Sequence, residues 1–130
     1  LRDAGLHLGV ASNVDEQSFA ATSRLLGGLI DTAVTAEASG AYKPDLAMFE
    51  ALFDALGAKG IDRRRVLHVA QSRFHDVEPG NAIDLDVVWI DRRFGRPGVG
   101  ITVDANAVPK ARFASLEQFC QAFLPEPSTT

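Results

Sequence analysis

Short apolar runs rich in β-branched residues alternate along the chain with longer stretches whose large apolar side chains recur every three or four positions. The first run, residues 6–12, reads as a strand ending at Ser12-Asn13. A helix is predicted over about 15–26, with Asp15 as cap, Phe19, Leu26 and Ile30 on one face, and Gly27-Gly28 as the stop. A second strand over 33–36 leads to a loop around Ser39-Gly40-Ala41-Tyr42. The clearest helix follows at about 45–56. There Met48, Phe49, Leu52, Phe53 and Leu56 keep helical spacing and read as core, with Gly57 placed to end the helix.

Residues 66–70 form a third predicted strand, whose nearly unbroken apolar character suits burial on both faces. A short helix over about 77–83, a strand over 87–91 and a Gly- and Pro-bearing loop over 94–100 come next. Ser115-Leu116-Glu117-Gln118 matches a capping box and opens a last helix to about Phe123. Pro125, Pro127 and the Ser/Thr end read as a frayed tail over 125–130.

Strands alternating with helices imply βαβ units, hence an α/β fold with a Rossmann-like three-layer core and a mostly parallel sheet. The 130 residues suffice for one compact domain, assigned to 1–124. A 46% hydrophobic and 23% charged composition fits a globular domain and argues against disorder. The net charge of -4 leaves no basic field to collect nucleic acid, and the Arg63-Arg64-Arg65 run reads as a solvated turn. No stretch approaches the roughly 20 apolar residues of a membrane helix, and nothing at the start resembles a signal peptide. The single cysteine, Cys120, cannot close an internal disulfide, which points to a reducing, cytoplasmic setting.

Ligands of open parallel sheets bind beyond the carboxyl ends of the strands, so the loops after Val10, Ala36, Ala70 and Ile90 matter most. Ser12-Asn13 offers a hydroxyl and backbone N–H groups for an anion, although both residue types also form ordinary turns. Lys43, ahead of Pro44 and Asp45 at the mouth of the long helix, could neutralise a nucleophilic carboxylate, or be a plain surface lysine. In Gln71-Ser72-Arg73-Phe74-His75-Asp76, Asp76 could bind a cation, hold Lys43, orient a water, or cap a helix. His68 and His75 have no metal-ligand spacing and receive no catalytic role.

The order of these parts is more specific than any one of them. A strand ending in Ser-Asn, a Lys-Pro about thirty residues on, and a strand followed by Ser-x-x-x-Asp resemble motifs two, three and four of the haloacid dehalogenase superfamily. The phrases Leu8-Gly9-Val10-Ala11-Ser12-Asn13, Ser39-Gly40-Ala41-Tyr42-Lys43-Pro44-Asp45 and Leu67-His68-Val69-Ala70-Gln71-Ser72 carry the likeness. It runs on through Val88-Trp89-Ile90-Asp91-Arg92-Arg93 to the closing helix, and is nearest the type II, 2-haloacid dehalogenase-like branch.

The resemblance implies that Ser12, with Asn13 beside it, contacts the substrate anion, that Lys43 pairs with the nucleophile, and that Asp76 is the second acidic position of motif four. Gln71 stands at that motif's first acidic position. An amide lacks the charge that magnesium prefers, so the resemblance favours metal-free dehalogenation; Mg2+ would enter only if the protein were a phosphatase. Asp84 stands where relatives often place a helix-ending glycine.

The family's nucleophile is an aspartate at the end of its first, central strand, and no segment here has that pattern. The expected chain is therefore a core without that strand and without the cap inserted after it, inactive alone and part of a longer enzyme. Two buried strand edges would be left open, able to pair with another chain or a second copy. The implied function is hydrolysis of a small anionic 2-haloacid through an aspartyl ester. A phosphatase acting on a small phosphomonoester and a non-catalytic binding or assembly module are the alternatives.

Overall fold

The computed structural model describes residues 1–97 and 106–124; the end of the predicted 94–100 loop and the 125–130 tail lie outside them. The fold is α/β; among the described residues the strands pair only in parallel, in two sheets of order β1-β2 and β3-β4-β5. The chain divides into two compact units, Arg2–Val66 and, together with Leu1, Leu67 onward.

In the first unit β1 (Gly9–Ser12), α1 (Glu16–Leu25) and β2 (Thr32–Thr35) form a βαβ unit, with Gly9 opposite Thr32 and Ser12 opposite Thr35. The predicted first strand begins too early, because a 3-10 turn at Arg2–Ala4 and irregular backbone precede Gly9. Asp15 caps α1 as expected, its carboxylate accepting from the Ser18 N–H at 2.6 Å. That contact also holds its pKa below the ordinary carboxylate value. The expected apolar face of α1 does not form. The helix ends at Leu25, so Leu26 and Ile30 fall beyond it, and no α1 residue is buried.

Ala36, predicted as the last residue of a strand, opens the short helix α2 (Ala36–Ser39) instead of a loop. Thr35 causes the switch: its hydroxyl oxygen accepts from the Ala38 N–H at 3.0 Å, ending the extended run with an N-cap. The long helix α3 (Leu46–Gly57) is capped by Asp45, which accepts from Ala47 N–H. Its predicted core face is buried at all five positions. Met48, Leu52 and Leu56 pack with Val34 and Ala36, and Ile61 and Val66 lie against the same cluster.

Gly57, the last residue of α3, is not the stop residue expected just past the helix. It stays helical, and the left-handed residue is Gly60, at φ +77°. Gly60 N–H donates to Gly57 O and Ile61 N–H to Leu56 O, the paired bonds of a Schellman cap. Arg63–Arg65 form a 3-10 turn with Arg64 paired to Asp62, in keeping with the predicted solvated turn.

The second unit holds β3 (Leu67–Ala70), α4 (Glu78–Ala82), β4 (Asp86–Ile90), β5 (Ala111–Phe113) and α5 (Leu116–Phe123). Leu67 registers with Asp86 and Val88 with Ala111. β3 is half-buried along its length, where burial on both faces was expected, and β4 is its only partner strand among the described residues. β5 escapes the sequence pattern, because Ala-Arg-Phe is too short to show a period of two. Phe119 on α5 packs with Val88 and Ile90, and Ser115 caps α5 through Gln118 N–H as the capping box predicts. No helix among the described residues is long and apolar enough to cross a membrane.

The helix expected over 77–83 starts earlier. A single π-type turn over Arg73–Val77 leads into α4, with Val77 N–H reaching back to Ser72 O at 3.3 Å. Beyond α4, Asp84 takes φ 55° and lets Leu85 N–H close onto Gly80 O at 2.9 Å. An Asp at this left-handed position carries a small local cost that Gly would avoid.

Candidate active site

The polar residues singled out by sequence lie at the carboxyl ends of parallel strands, in two groups. The first follows β1. Ser12 is half-buried, and its hydroxyl has no hydrogen-bond partner among the described residues. Asn13 is fully engaged. Its Oδ1 accepts from Lys43 N–H at 2.7 Å and its Nδ2 donates to Lys43 O at 3.0 Å. One side-chain amide thus satisfies both peptide groups of a residue 30 positions away and joins the loop after β1 to the loop before α3.

Further bonds brace the same loops. Ala36 N–H donates to Val14 O at 3.1 Å, Glu16 N–H donates to a Glu37 carboxylate oxygen at 2.7 Å, and the Thr35 hydroxyl donates to Glu16. The Lys43-Pro44 peptide is cis. At the opposite end of the sheet, Asp31 accepts from Leu8 N–H at 2.8 Å, with Arg2 at 3.4 Å. That hydrogen bond, then the nearby Arg2, His7 and Lys59 charges, hold its pKa below the usual range against some desolvation.

The second group follows β3. Ser72 is buried and caps the π-type turn, its hydroxyl oxygen accepting from His75 N–H at 3.0 Å and sharing a hydrogen bond with His75 Nδ1 at 2.9 Å. This takes the capping role that Asp76 was given as its plainer alternative. Asp76 lies inside the turn, only 3% exposed, with Oδ1 2.9 Å from Nε2 of His68 on β3. Sequence reasoning gave His68 no role. The signal was nonetheless present: an imidazole inside the apolar run Leu67-His68-Val69 requires a buried polar partner.

Gln71 is exposed, and its backbone carbonyl accepts from Trp89 Nε1 at 3.1 Å. Two guanidinium groups lie over the Trp89 ring, Arg73 at 5.1 Å and Arg112 at 4.9 Å from its centroid. Arg73 also donates through Nη2 to Ala107 O at 2.8 Å, and so fixes the loop ahead of β5. The described residues hold no group of three or more His, Cys, Asp or Glu side chains able to bind a metal ion.

No family model matches the sequence, and no curated protein matches it. Solved structures do match. A phosphatase of the haloacid dehalogenase (HAD) superfamily from Thermococcus onnurineus aligns over 94% of this chain and 52% of its own, with 21% identity and a TM-score of 0.73. A dehalogenase aligns over 95% of this chain and 52% of its own, with 21% identity and a TM-score of 0.77. A 2-haloacid dehalogenase from Pseudomonas syringae pv. Tomato aligns over 89% of this chain and 45% of its own, with 26% identity and a TM-score of 0.62. The chain spans about half the length of these structures.

Proposed function

We propose that this chain, whose fold is part of a haloacid-dehalogenase-superfamily core, forms the hydroxyl- and lysine-bearing side of a hydrolase site that removes halide from a small 2-haloacid. The observation that carries the reading is the Asn13 clamp on Lys43. A surface lysine before a helix has no need of a side chain that satisfies both its peptide groups. A lysine that must meet a reacting carboxylate does, because misplacement by about 1 Å can cost roughly 100-fold in rate.

In this scheme an aspartate of the full-length protein, on a segment outside this chain, attacks the carbon bearing the halogen. A C–O bond forms as the C–halogen bond breaks, and halide leaves with the electron pair. Water then adds to the ester carbonyl, releasing the 2-hydroxyacid and a proton and restoring the carboxylate. Lys43 offsets the charge of the nucleophile, the Ser12 hydroxyl donates to the substrate carboxylate, and Asp76 orients the attacking water. Asn13 contributes to anion binding through its backbone N–H, since its side chain serves Lys43. No step draws on a metal, in keeping with the neutral amide of Gln71. The partner is a small organic anion, and a cytoplasmic setting suits the free thiol of Cys120.

The test is to express the full-length protein and follow chloride release from 2-chloropropionate and phosphate release from p-nitrophenyl phosphate, each with and without magnesium. The reading requires metal-independent chloride release that falls roughly 100-fold or more in Lys43→Ala. Magnesium-dependent phosphate release without chloride release would move the assignment to the phosphomonoester alternative. Turnover of neither probe would leave the binding or assembly module.

A further inference from the structure

We propose that His68 is the positioning residue for Asp76, its Nε2–H donating to Oδ1 and fixing the direction in which the carboxylate's second oxygen faces. The proposal rests on Asp76 belonging to the reaction site described above. Three observations support it. The two side chains are 12% and 5% exposed and 2.9 Å apart, so the pair forms away from bulk water, where a hydrogen bond holds its geometry best. The elements differ in stiffness: His68 sits on β3, hydrogen-bonded along β4, whereas Asp76 sits in a π-type turn, a less regular geometry than the α-helices around it. The carboxylate on the irregular turn is thus referenced to the sheet. The third observation is directional. Ser72 and His75 satisfy one another at the start of the turn, which leaves His68 as the imidazole facing Asp76.

The proposal separates His68 from a buried polar residue that serves stability alone. A donor at the Nε2 position is what matters, so glutamine, whose amide nitrogen reaches a similar place, can replace it and leucine cannot. In the full-length protein, His68→Gln is expected to keep kcat for chloride release within about 3-fold of wild type. His68→Leu is expected to lower kcat roughly 100-fold with KM within about 3-fold, because substrate binding falls to Ser12 and not to Asp76. Long-range 15N–1H spectra of the wild-type imidazole supply a readout independent of turnover. They should show the Nε2–H tautomer of His68, with a resonance that moves in Asp76→Asn.

A wild-type kcat in folded His68→Leu would overturn the proposal, as would equal losses in the Gln and Leu variants or an Nδ1–H tautomer. If His68→Leu does not fold, the wild-type tautomer and the Gln variant decide. Full activity in Asp76→Asn would instead sink the placement of Asp76 in the site, and the tautomer would still report whether His68 holds it. If the protein turns over neither probe, amide exchange across 73–77 replaces kcat, and faster exchange in Leu but not in Gln is then required.

Discussion

Gly80 of α4 lies against Val87 of β4 so closely that a Cβ built on it would stand 2.3 Å from Val87 Cγ2. Val87 is 1% exposed and has little room to retreat. Gly80→Ala therefore sets two effects against each other. Alanine favours the helix by about 1 kcal/mol, while overpacking a tight interior costs about 1–3 kcal/mol. A contact more than an ångström inside van der Waals distance belongs near the top of that range, so a net loss of about 2 kcal/mol is expected. Val87→Ala removes two buried methyl groups and leaves a small cavity, for a loss of about 2–3 kcal/mol. In the double variant the new methyl occupies the space that Cγ2 vacates. Its loss should then be about 2 kcal/mol, well short of the sum, with a coupling of about 2 kcal/mol. Urea denaturation of the four proteins measures this directly. Additivity within about 0.5 kcal/mol, or a Gly80→Ala variant as stable as wild type, would refute the close approach of α4 to β4.

Asn13→Ala removes two hydrogen bonds and should cost about 1–3 kcal/mol in urea denaturation and accelerate proteolysis near Lys43; Asn13→Asp, which keeps the acceptor but turns the donor into a charge facing Lys43 O, should not rescue it. Asp15 and Asp31 have folded pKa values lowered from 3.8, so their contribution is complete above that value and lost as pH falls through the depressed ones. Asp31→Asn should accordingly flatten the acid limb of a stability-pH curve, and an unchanged limb would contradict the assignment. In hydrogen exchange, Val88 and Trp89 of β4, flanked by β3 and β5, should outlast the amides of β1 and β3, which each pair with one strand among the described residues. Equal protection would mean that another segment or a second copy fills those edges, the two being separated by its dependence on concentration.

How far the sequence was legible depended on how local each cause was. The α3 face from Met48 to Leu56 was readable because five large apolar side chains repeat one period over three turns. Asp15, Asp45 and Ser115 were readable as caps or helix-opening residues, since a cap acts within three residues of itself. The left-handed stop after α3 was placed at Gly57 and not at Gly60 because two glycines stand three positions apart, and only the reverse bonds from Gly60 and Ile61 choose between them. Ser12, Asn13, Lys43 and Asp76 were singled out through the order of motifs. What Asn13 and Asp76 touch was not, because those partners depend on which strands and loops the fold brings together.

The two polar groups share a construction that bears on how such a site works. In each, a residue suited to chemistry is held by a neighbour whose value is geometric: Lys43 by the Asn13 amide, Asp76 by the His68 imidazole. Even Gln71 is fixed through its carbonyl by Trp89, whose ring is itself in contact with two arginines. A lysine and a carboxylate left to find their places on substrate arrival would spend binding energy on ordering themselves. Under the proposed function, fixing them beforehand leaves that energy for the transition state. The Gln71 position fits the same logic. An acidic side chain there would add a second negative charge to the loop after β3, close in sequence to Asp76, whereas the neutral amide adds none.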